Sequence, residues 1–327
     1  MLPNYLTVSG KTRQNDLDVT FLISIQPGAA TATSATLGSQ NQRQAFLTFG
    51  DASWGSIKLG KDLGIYASDA ILNDMTLLGV GSAAGTGPGN TTLGRIGAGY
   101  MYADWKSQIA YTSPNFNGFS FTAGVTQAWN AVDSTGFGAS ADSDGRGGKS
   151  PAFEGKASYA FAADAVNGKV WASGLSQKVK GIDADNTSAT ATAWDIGANV
   201  NAAGFGATAY YGEGKGTGTT FLMHDGLDAD GNKRDSKDWY VQGTYTLPGV
   251  GTKLGLSYGE SKLEGTDEAD LGINYKDEMW VAGVYHPLTK HLNLVAEYSV
   301  EKGEFYVDDA KINGKAKTVS LGAILFF

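Results

Sequence analysis

Apolar and polar residues alternate along most of the chain, which is the pattern of β-strands with one apolar face. In the segment from Leu17 to Gln26, every second side chain is apolar: Leu17, Val19, Phe21, Ile23 and Ile25. The end of the chain repeats the alternation, because Val319, Leu321, Ala323, Leu325 and Phe327 would share one face. A helical period is not sustained over a comparable length, so the sequence predicts an all-β fold.

About fifteen segments show this alternation, and most are roughly nine to eleven residues long, the length with which a tilted strand crosses a bilayer. They begin near residues 5, 17, 42, 54, 105, 118, 152, 169, 190, 204, 236, 251, 275, 291 and 315. All seven prolines lie at segment ends or in connections, as expected because proline cannot donate to a strand ladder.

The connections between these segments alternate in length. Short turns at 14–16, 51–53, 114–117, 201–203, 247–250 and 287–290 alternate with long polar connections at 27–41, 63–104, 128–151, 179–189, 213–235, 262–274 and 302–314. A soluble β-sandwich has no reason to sort its loops by end, whereas a membrane barrel has short periplasmic turns and long external loops. The pattern predicts one transmembrane antiparallel β-barrel domain over residues 1–327.

The direction of the first and last segments bears on the number of strands. The final segment follows a long connection, so it would run inward and end at the periplasm. The first segment, near residues 5–13, precedes a short turn and would also run inward. Single-chain bacterial barrels have an even number of strands. We therefore expect about 16 strands, with the first strand missing from this sequence.

Composition narrows the class of protein further. Charged residues make up only 18% of the chain, against roughly 25% in a typical soluble domain. No apolar run approaches the 18 to 20 residues of a membrane helix. The net charge of −8 argues against nucleic acid as a partner. The absence of cysteine excludes disulfides and thiol chemistry.

Three stretches of the sequence resemble a known family. The stretch RQAFLTFGDASWGSIKLGKDLGIYASDAIL, from Arg43 to Leu72, and the stretches LGRIGAGYMY and IAYTSPNFNGFSFTAGV, between Leu93 and Val125, are similar to the general porins. These are trimeric, sixteen-stranded diffusion channels of Gram-negative outer membranes. The resemblance implies a homotrimer that contacts outer-membrane lipid and lipopolysaccharide and passes small hydrophilic solutes and ions. It implies no cofactor and no enzymatic activity, and it makes Phe327 the C-terminal assembly signal.

In the family that this chain resembles, the third external loop folds into the lumen and opposes carboxylates to basic residues on the wall. The resemblance assigns this role to residues 63–104, with Asp69 and Asp74 on the acidic side and Lys61 and Arg95 on the basic side. Strand parity adds further basic residues on the lumen face: Lys58, Lys106 and Lys11, with Arg13 beyond at the strand end. Opposed charges in a narrow aqueous passage orient polar solutes.

Two features of this predicted constriction depart from the family pattern. Lys61 shares parity with Ile57 and Leu59, so it would face inward only if the strand ended or bulged there. The distal half of the loop, MTLLGVGSAAGTGPGN, carries no charge.

The sequence leaves alternative functions open. A substrate-selective channel could use lumen aromatics such as Tyr240 or Trp280 as a stacking track for sugars or aromatic acids. A barrel hydrolase would need a clustered nucleophile and base, which the sequence does not display. The overall acidity favours a mild preference for cations, provided that the charge reaches the lumen.

Metal binding has little support in the sequence. The Asp-rich stretches at 225–235 and 142–148 have the oxygen density that calcium prefers, but neither completes a ligand loop. Their weak candidates are Asp225, Asp228, Asp230, Asp142 and Asp144. We predict no metal.

Overall fold

The computed structural model describes residues 4–27, 40–79, 92–129, 150–180, 188–228, 230–266, 275–307 and 310–327. Its strands are β1 (Leu6–Gln14), β2 (Leu17–Pro27), β3 (Gln40–Asn41), β4 (Ala45–Asp51), β5 (Gly55–Leu63), β6 (Trp105–Thr112), β7 (Phe119–Thr126), β8 (Ala152–Ala163), β9 (Val166–Lys180), β10 (Ser188–Ala202), β11 (Phe205–Lys215), β12 (Asp235–Thr246), β13 (Lys253–Glu264), β14 (Tyr275–Pro287), β15 (Leu292–Val307) and β16 (Ala310–Leu325). Helix α1 (Ser68–Leu72) and a 3₁₀ helix (Met75–Leu78) lie between β5 and β6. None of the helices in these ranges is long and apolar enough to cross a bilayer.

The strands form a single antiparallel sheet in chain order. Each long strand pairs with the next, from β1 through β2 and β4 to β16, while the two-residue β3 pairs only with β2. The predicted all-β antiparallel fold is confirmed, and the strands begin close to the predicted positions. One predicted loop is wrong: β15 and β16 occupy most of 302–314 and pair as far as Val307 and Ala310.

Pairing fixes which residues share a face, because partners in a ladder point to the same side of the sheet. We call the two sides the inner face and the outer face. On the outer face, large apolar side chains are exposed, including Leu321 at 75% and Leu256 at 60%. On the inner face, large side chains such as Lys106, Trp171 and Tyr240 are buried. The outer face therefore suits lipid.

The sheet curves around residues that precede β6. The backbone N–H groups of Ile65 and Tyr66 donate to the carboxylate of Glu154 in β8. The N–H of Met75 donates to Gln242 in β12 at 2.7 Å. A side chain added at Gly79 would collide with the carboxylate of Glu297 in β15. One short segment can reach β8 and β15 only if the sheet wraps around it.

The two edge strands, β1 and β16, run in the same direction, because every step along the sheet is antiparallel. Among the described residues, β1 pairs with β2 and β16 with β15, and no pairing joins the two edges. Besides the short β3, the sheet holds fifteen strands among the described residues. The further N-terminal strand that would make sixteen stays a prediction.

Candidate functional site

Residues 64–79 and 92–104, which we call the inner segment, lie against the inner face of the sheet. The segment begins where the chain leaves β5 and the carboxylate of Glu154 accepts two successive backbone N–H groups, at 2.8 and 2.9 Å. Ser68 then donates its hydroxyl to the Ile65 carbonyl at the start of α1. On the return half, the N–H of Gly99 donates to the hydroxyl oxygen of Ser261 in β13. Contacts with several strands thus fix the path of the segment.

Asp69 joins α1 to the wall through two lysines. Its carboxylate lies 2.5 Å from Nζ of Lys169 in β9 and 3.2 Å from Nζ of Lys156 in β8. Burial raises the pKa of the Asp69 carboxyl, but Lys156 and Lys169 outweigh that effect and leave the pKa below its ordinary value. The lysines are partly exposed while Asp69 is buried, so the cluster presents positive charge to solvent.

Asp74 caps the 3₁₀ helix instead of facing open space. Its carboxylate accepts the N–H and the hydroxyl of Thr76, and it also accepts the hydroxyl of Tyr100 at 2.8 Å. The side chain is buried. Its carboxylate therefore stabilises the fold of the inner segment.

Arg95 is fully buried between the inner segment and the wall. Its Nη1 donates to the carbonyls of Ala98 and Met279, at 3.1 and 2.9 Å. Its Nε and Nη2 have no hydrogen-bond partner. Burial lowers the pKa of the Arg95 guanidinium, and the nearby Asp74 carboxylate partly opposes this. The inner segment therefore covers the Arg95 guanidinium and holds it against the wall.

Lys106 forms a fully buried ion pair with Glu154, and neither side chain is exposed. Glu154 also accepts the hydroxyl of Thr126 at 2.8 Å. This pair anchors the first residues of the inner segment, because the same carboxylate binds the N–H groups of Ile65 and Tyr66.

The remaining basic candidates lie away from Asp69. Lys58 pairs with Asp62 within β5. Lys11 and Arg13 both pair with Asp18 on the inner face, near the short β1–β2 turn. Arg13 also reaches Asp51, at 2.9 Å.

Lys61 stays on the outer face. It pairs in register with Ala45 and Ser107, and the register continues to Leu63 without interruption. The strand has therefore neither ended nor bulged at Lys61, which shares a face with Ile57 and Leu59. Lys61 therefore does not face the lumen, and its predicted place on the basic side of the constriction is wrong.

Sequence reasoning missed three charged residues that hold the segment: Glu154, Lys156 and Lys169. Parity could have found the first two, since both alternate with the exposed Phe153 and Tyr159. Their partners could not be inferred, because Asp69 is 87 residues from Lys156 and 100 from Lys169.

The structure contradicts the suggested aromatic track. Tyr240 is buried beneath the inner segment and donates its hydroxyl to the Ala70 carbonyl at 2.8 Å. Trp280 lies on the outer face, edge-to-face with Tyr298 at 5.3 Å between ring centroids. Parity was ambiguous there because the flanking Met279 and Val281 are also apolar.

The Asp-rich stretch before β12 is arranged as a turn. Asp228 accepts the N–H groups of Asp230 and Asn232, and its other oxygen accepts the hydroxyl of Thr266. The side chain of Asp225 lies 2.9 Å from Nδ1 of His224. No group of three or more metal-binding side chains occurs in the described part of the chain. Asp142 and Asp144 lie outside the described residues.

Phe327 follows β16 and is 99% exposed. Its role in assembly stays a prediction.

A continuous antiparallel sheet, apolar outside and enclosing a folded segment on its polar inner face, defines a membrane-spanning β-barrel channel. The model of the Gram-negative porin family matches residues 4–304. The chain belongs to this family, so the protein is a passive channel of the bacterial outer membrane.

Solved structures share the fold. The outer membrane channel DcaP of Acinetobacter baumannii superposes with a TM-score of 0.72 at 15% identity, covering 99% of this chain and 85% of that one. Salmonella typhi OmpF, in complex with daunomycin, gives 0.60 at 18% identity, covering 98% and 90%. The trimer form of OmpT, an outer membrane protein of Vibrio cholerae, gives 0.58 at 15% identity, covering 99% and 91%. No curated protein sequence matches the chain.

Proposed function

We propose that small hydrophilic solutes and ions diffuse through water between the inner segment and the uncovered part of the wall. The observation that carries this proposal is the position of the segment, which contacts inner faces from β8 to β15. The inner face of β1, by contrast, is open, since the side chain of Lys11 is 67% exposed. The inner segment would thus narrow the channel without filling it.

The charges at this narrowing differ from the predicted arrangement. Lys156 and Lys169, at 25% and 34% side-chain exposure, border the segment beside Asp69. Lys58, Lys11 and Arg13 lie on the inner face of β5 and β1, each paired with an aspartate. Such fixed charges orient solutes and bias ion flux without any bond being made or broken. We therefore assign the channel no catalytic role.

We infer the assembly and the surroundings of the protein from its family. The trimer form of OmpT shares the fold and supports a homotrimer. The apolar outer face suits outer-membrane lipid, and the external rim of the sheet would meet lipopolysaccharide. We further infer that the chain is one barrel domain.

Planar bilayer recording tests the proposed function. Purified protein should produce stepwise conductance increments that scale with bulk salt, because ions cross a water-filled lumen. Liposome swelling should decline smoothly with solute size, from small sugars to larger oligosaccharides. Absence of conductance steps from folded protein would contradict an open channel, and saturable block by one solute would indicate a binding channel instead.

A further inference from the structure

A row of carboxylates crosses the inner face on alternate strands. The register joins Asp195 of β10 to Gly212, Gly212 to Asp238 of β12, and continues through Ser261 to Asp277 of β14. Strands lie about 4.8 Å apart, so neighbouring carboxylates in the row are carried on backbones about 10 Å apart. Small residues between them leave space along the row.

Glu301 of β15 extends this row. Asp277 pairs with Gly303 and Met279 pairs with Glu301, which makes Asp277 and Glu301 diagonal neighbours on one face. We call Asp195, Asp238, Asp277 and Glu301 the acidic band. Asp277 and Glu301 are half-buried, whereas Asp195 and Asp238 are almost fully buried.

In the described part of the chain, the strands that carry the acidic band provide no basic residue beside it on the inner face. Among the described inner-face positions of β10 to β16, the basic residue is Lys253, at the far end of β13. Its ammonium packs over the ring of Tyr285, 4.9 Å from the centroid. Arg95 contacts the Met279 carbonyl, but the carboxylate that acts on its guanidinium is Asp74. Among the described residues of these strands, no basic side chain therefore pairs with the band.

Unpartnered polar atoms lie within the band. Oδ2 of Asp195, Oδ1 of Asp238 and the hydroxyl of Tyr210 are buried and have no hydrogen-bond partner. The Tyr210 hydroxyl points at Gly212, midway between Asp195 and Asp238, since a Cβ added to Gly212 would lie 2.7 Å from it. Buried oxygens without a donor are costly, so a cation or a hydrogen-bond donor placed among these atoms would be stabilised.

The inner face of β1 to β9 carries the opposite charge. Its basic residues are Lys11, Arg13, Lys58, Lys106, Lys156 and Lys169. They outnumber the carboxylates Asp18, Asp62 and Glu154 on the same face. The charge of the lumen is thus divided between two walls, and the acidic side comes from strands β10 to β15.

We propose that the acidic band binds small cations, both hydrated inorganic cations and small organic ammonium ions, and makes the channel select cations. This proposal rests on the proposed channel function. Asp277 and Glu301, the half-buried members, receive the cation from the lumen. Asp195 and Asp238 continue the row with buried carboxyl oxygens that have no hydrogen-bond partner.

The test compares reversal potentials in a tenfold KCl gradient across planar bilayers. The double variant Asp277→Asn and Glu301→Gln keeps side-chain volume and should lower the potassium-to-chloride permeability ratio at least about threefold relative to the original channel. Glu278→Gln is the matched control. Glu278 is the next residue, but it faces outward and pairs with Lys276 and Lys302, so its substitution should leave the ratio unchanged.

A second measurement tests binding directly. 1,4-Diaminobutane added on the external side should reduce the current of the original channel at concentrations that leave the double variant open. Unchanged selectivity and unchanged block in a conducting, folded double variant would overturn the proposal while the channel function stands. A chloride-selective original channel would overturn it as well, whereas absence of any conductance would instead refute the proposed function.

Discussion

Asp69 shows what sequence reasoning can and cannot assign at the scale of one residue. The sequence motif around Asp69 resembles that of the family, and this resemblance predicted its place on the acidic side of the constriction. Its partners could not be predicted, because Lys156 and Lys169 come close to Asp69 only once the sheet has curved. Asp74 and Arg95 were named for the lumen, yet both are buried by contacts that no local pattern reveals.

The first prediction concerns the pH dependence of docking by Asp69. Because the pKa is lowered in the folded protein, the ion pairs stabilise it above the ordinary carboxyl pKa of 3.8, and this contribution is lost as pH falls through the lowered pKa. Asp69→Asn should cost about 1 to 2 kcal/mol at pH 7, less than a fully buried pair because the lysines are partly exposed.

Thermal unfolding at pH 7 and pH 3 measures this effect. The difference between the original protein and Asp69→Asn should shrink at pH 3, because this pH lies below the ordinary carboxyl pKa of 3.8, where the contribution of the ion pairs begins to be lost. Asp164→Asn, in the exposed β8–β9 turn, is the control. An equal deficit at both pH values would show that Asp69 acts by something other than its charge.

The second prediction concerns the buried pair Lys106–Glu154. Lys106→Met leaves the Glu154 carboxylate buried without its cation, which should destabilise the protein by about 3 to 5 kcal/mol. Combining it with Glu154→Gln should recover part of the loss, because the amide oxygen can still accept from Ile65 and Tyr66. Lys58→Met, which breaks a partly exposed pair, should cost about 1 kcal/mol or less.

Urea unfolding monitored by tryptophan fluorescence in lipid vesicles gives these differences. A double variant no more stable than Lys106→Met would mean that the charge of Glu154 is compensated by another group.

At the scale of elements, strands were predictable because alternation and proline placement are local properties. The failure at 302–314 has a physical cause. The sequence of this stretch looked like a loop because it carries the charged residues Lys302, Glu304 and Lys311. Strands that extend past the membrane can, however, carry charge on their outer face. There Lys311 pairs with Glu304 at 2.8 Å and Lys302 with Glu278 at 3.4 Å.

The third prediction concerns the packing of the inner segment at Gly99. Gly99 has a φ of 149°, and a Cβ there would lie 2.8 Å from Cδ of Arg95 and 3.2 Å from Cβ of Tyr240. Gly99→Ala should therefore loosen the return half of the segment, at a cost of about 1 to 3 kcal/mol.

Single-channel recording of Gly99→Ala should show noisier open currents and altered conductance, since the segment borders the lumen. Gly243→Ala is the control, because its Cβ would meet no atom within 4 Å. Identical current noise in the two variants would argue that the segment tolerates the added methyl group.

At the scale of the whole molecule, the sheet separates lipid on its outer face from water on its inner face. Its architecture could be predicted because short turns and long connections alternate in the sequence, whereas the charge division between the walls emerges only from the register of β10 to β16. The acidic band is an example: its members lie far apart in sequence and meet in one row.

The fourth prediction tests the lipid contact of the outer face. Leu256→Arg, on the outer face of β13, should destabilise the folded barrel in lipid by about 2 to 4 kcal/mol, the cost of a cation facing the bilayer midplane. Ser9→Arg, on the exposed inner face of β1, should cost far less because water reaches it. Urea titration in vesicles measures both, and equal costs would contradict the assignment of the faces.

Side chains alternate between the two faces of each strand, so the position of a residue along the strand decides whether it meets lipid or water. One residue inserted or deleted inside a strand would turn every later side chain toward the wrong solvent until the next turn restored the phase. Length changes among relatives should therefore accumulate in the connections and spare the strands, whatever solute a given relative carries.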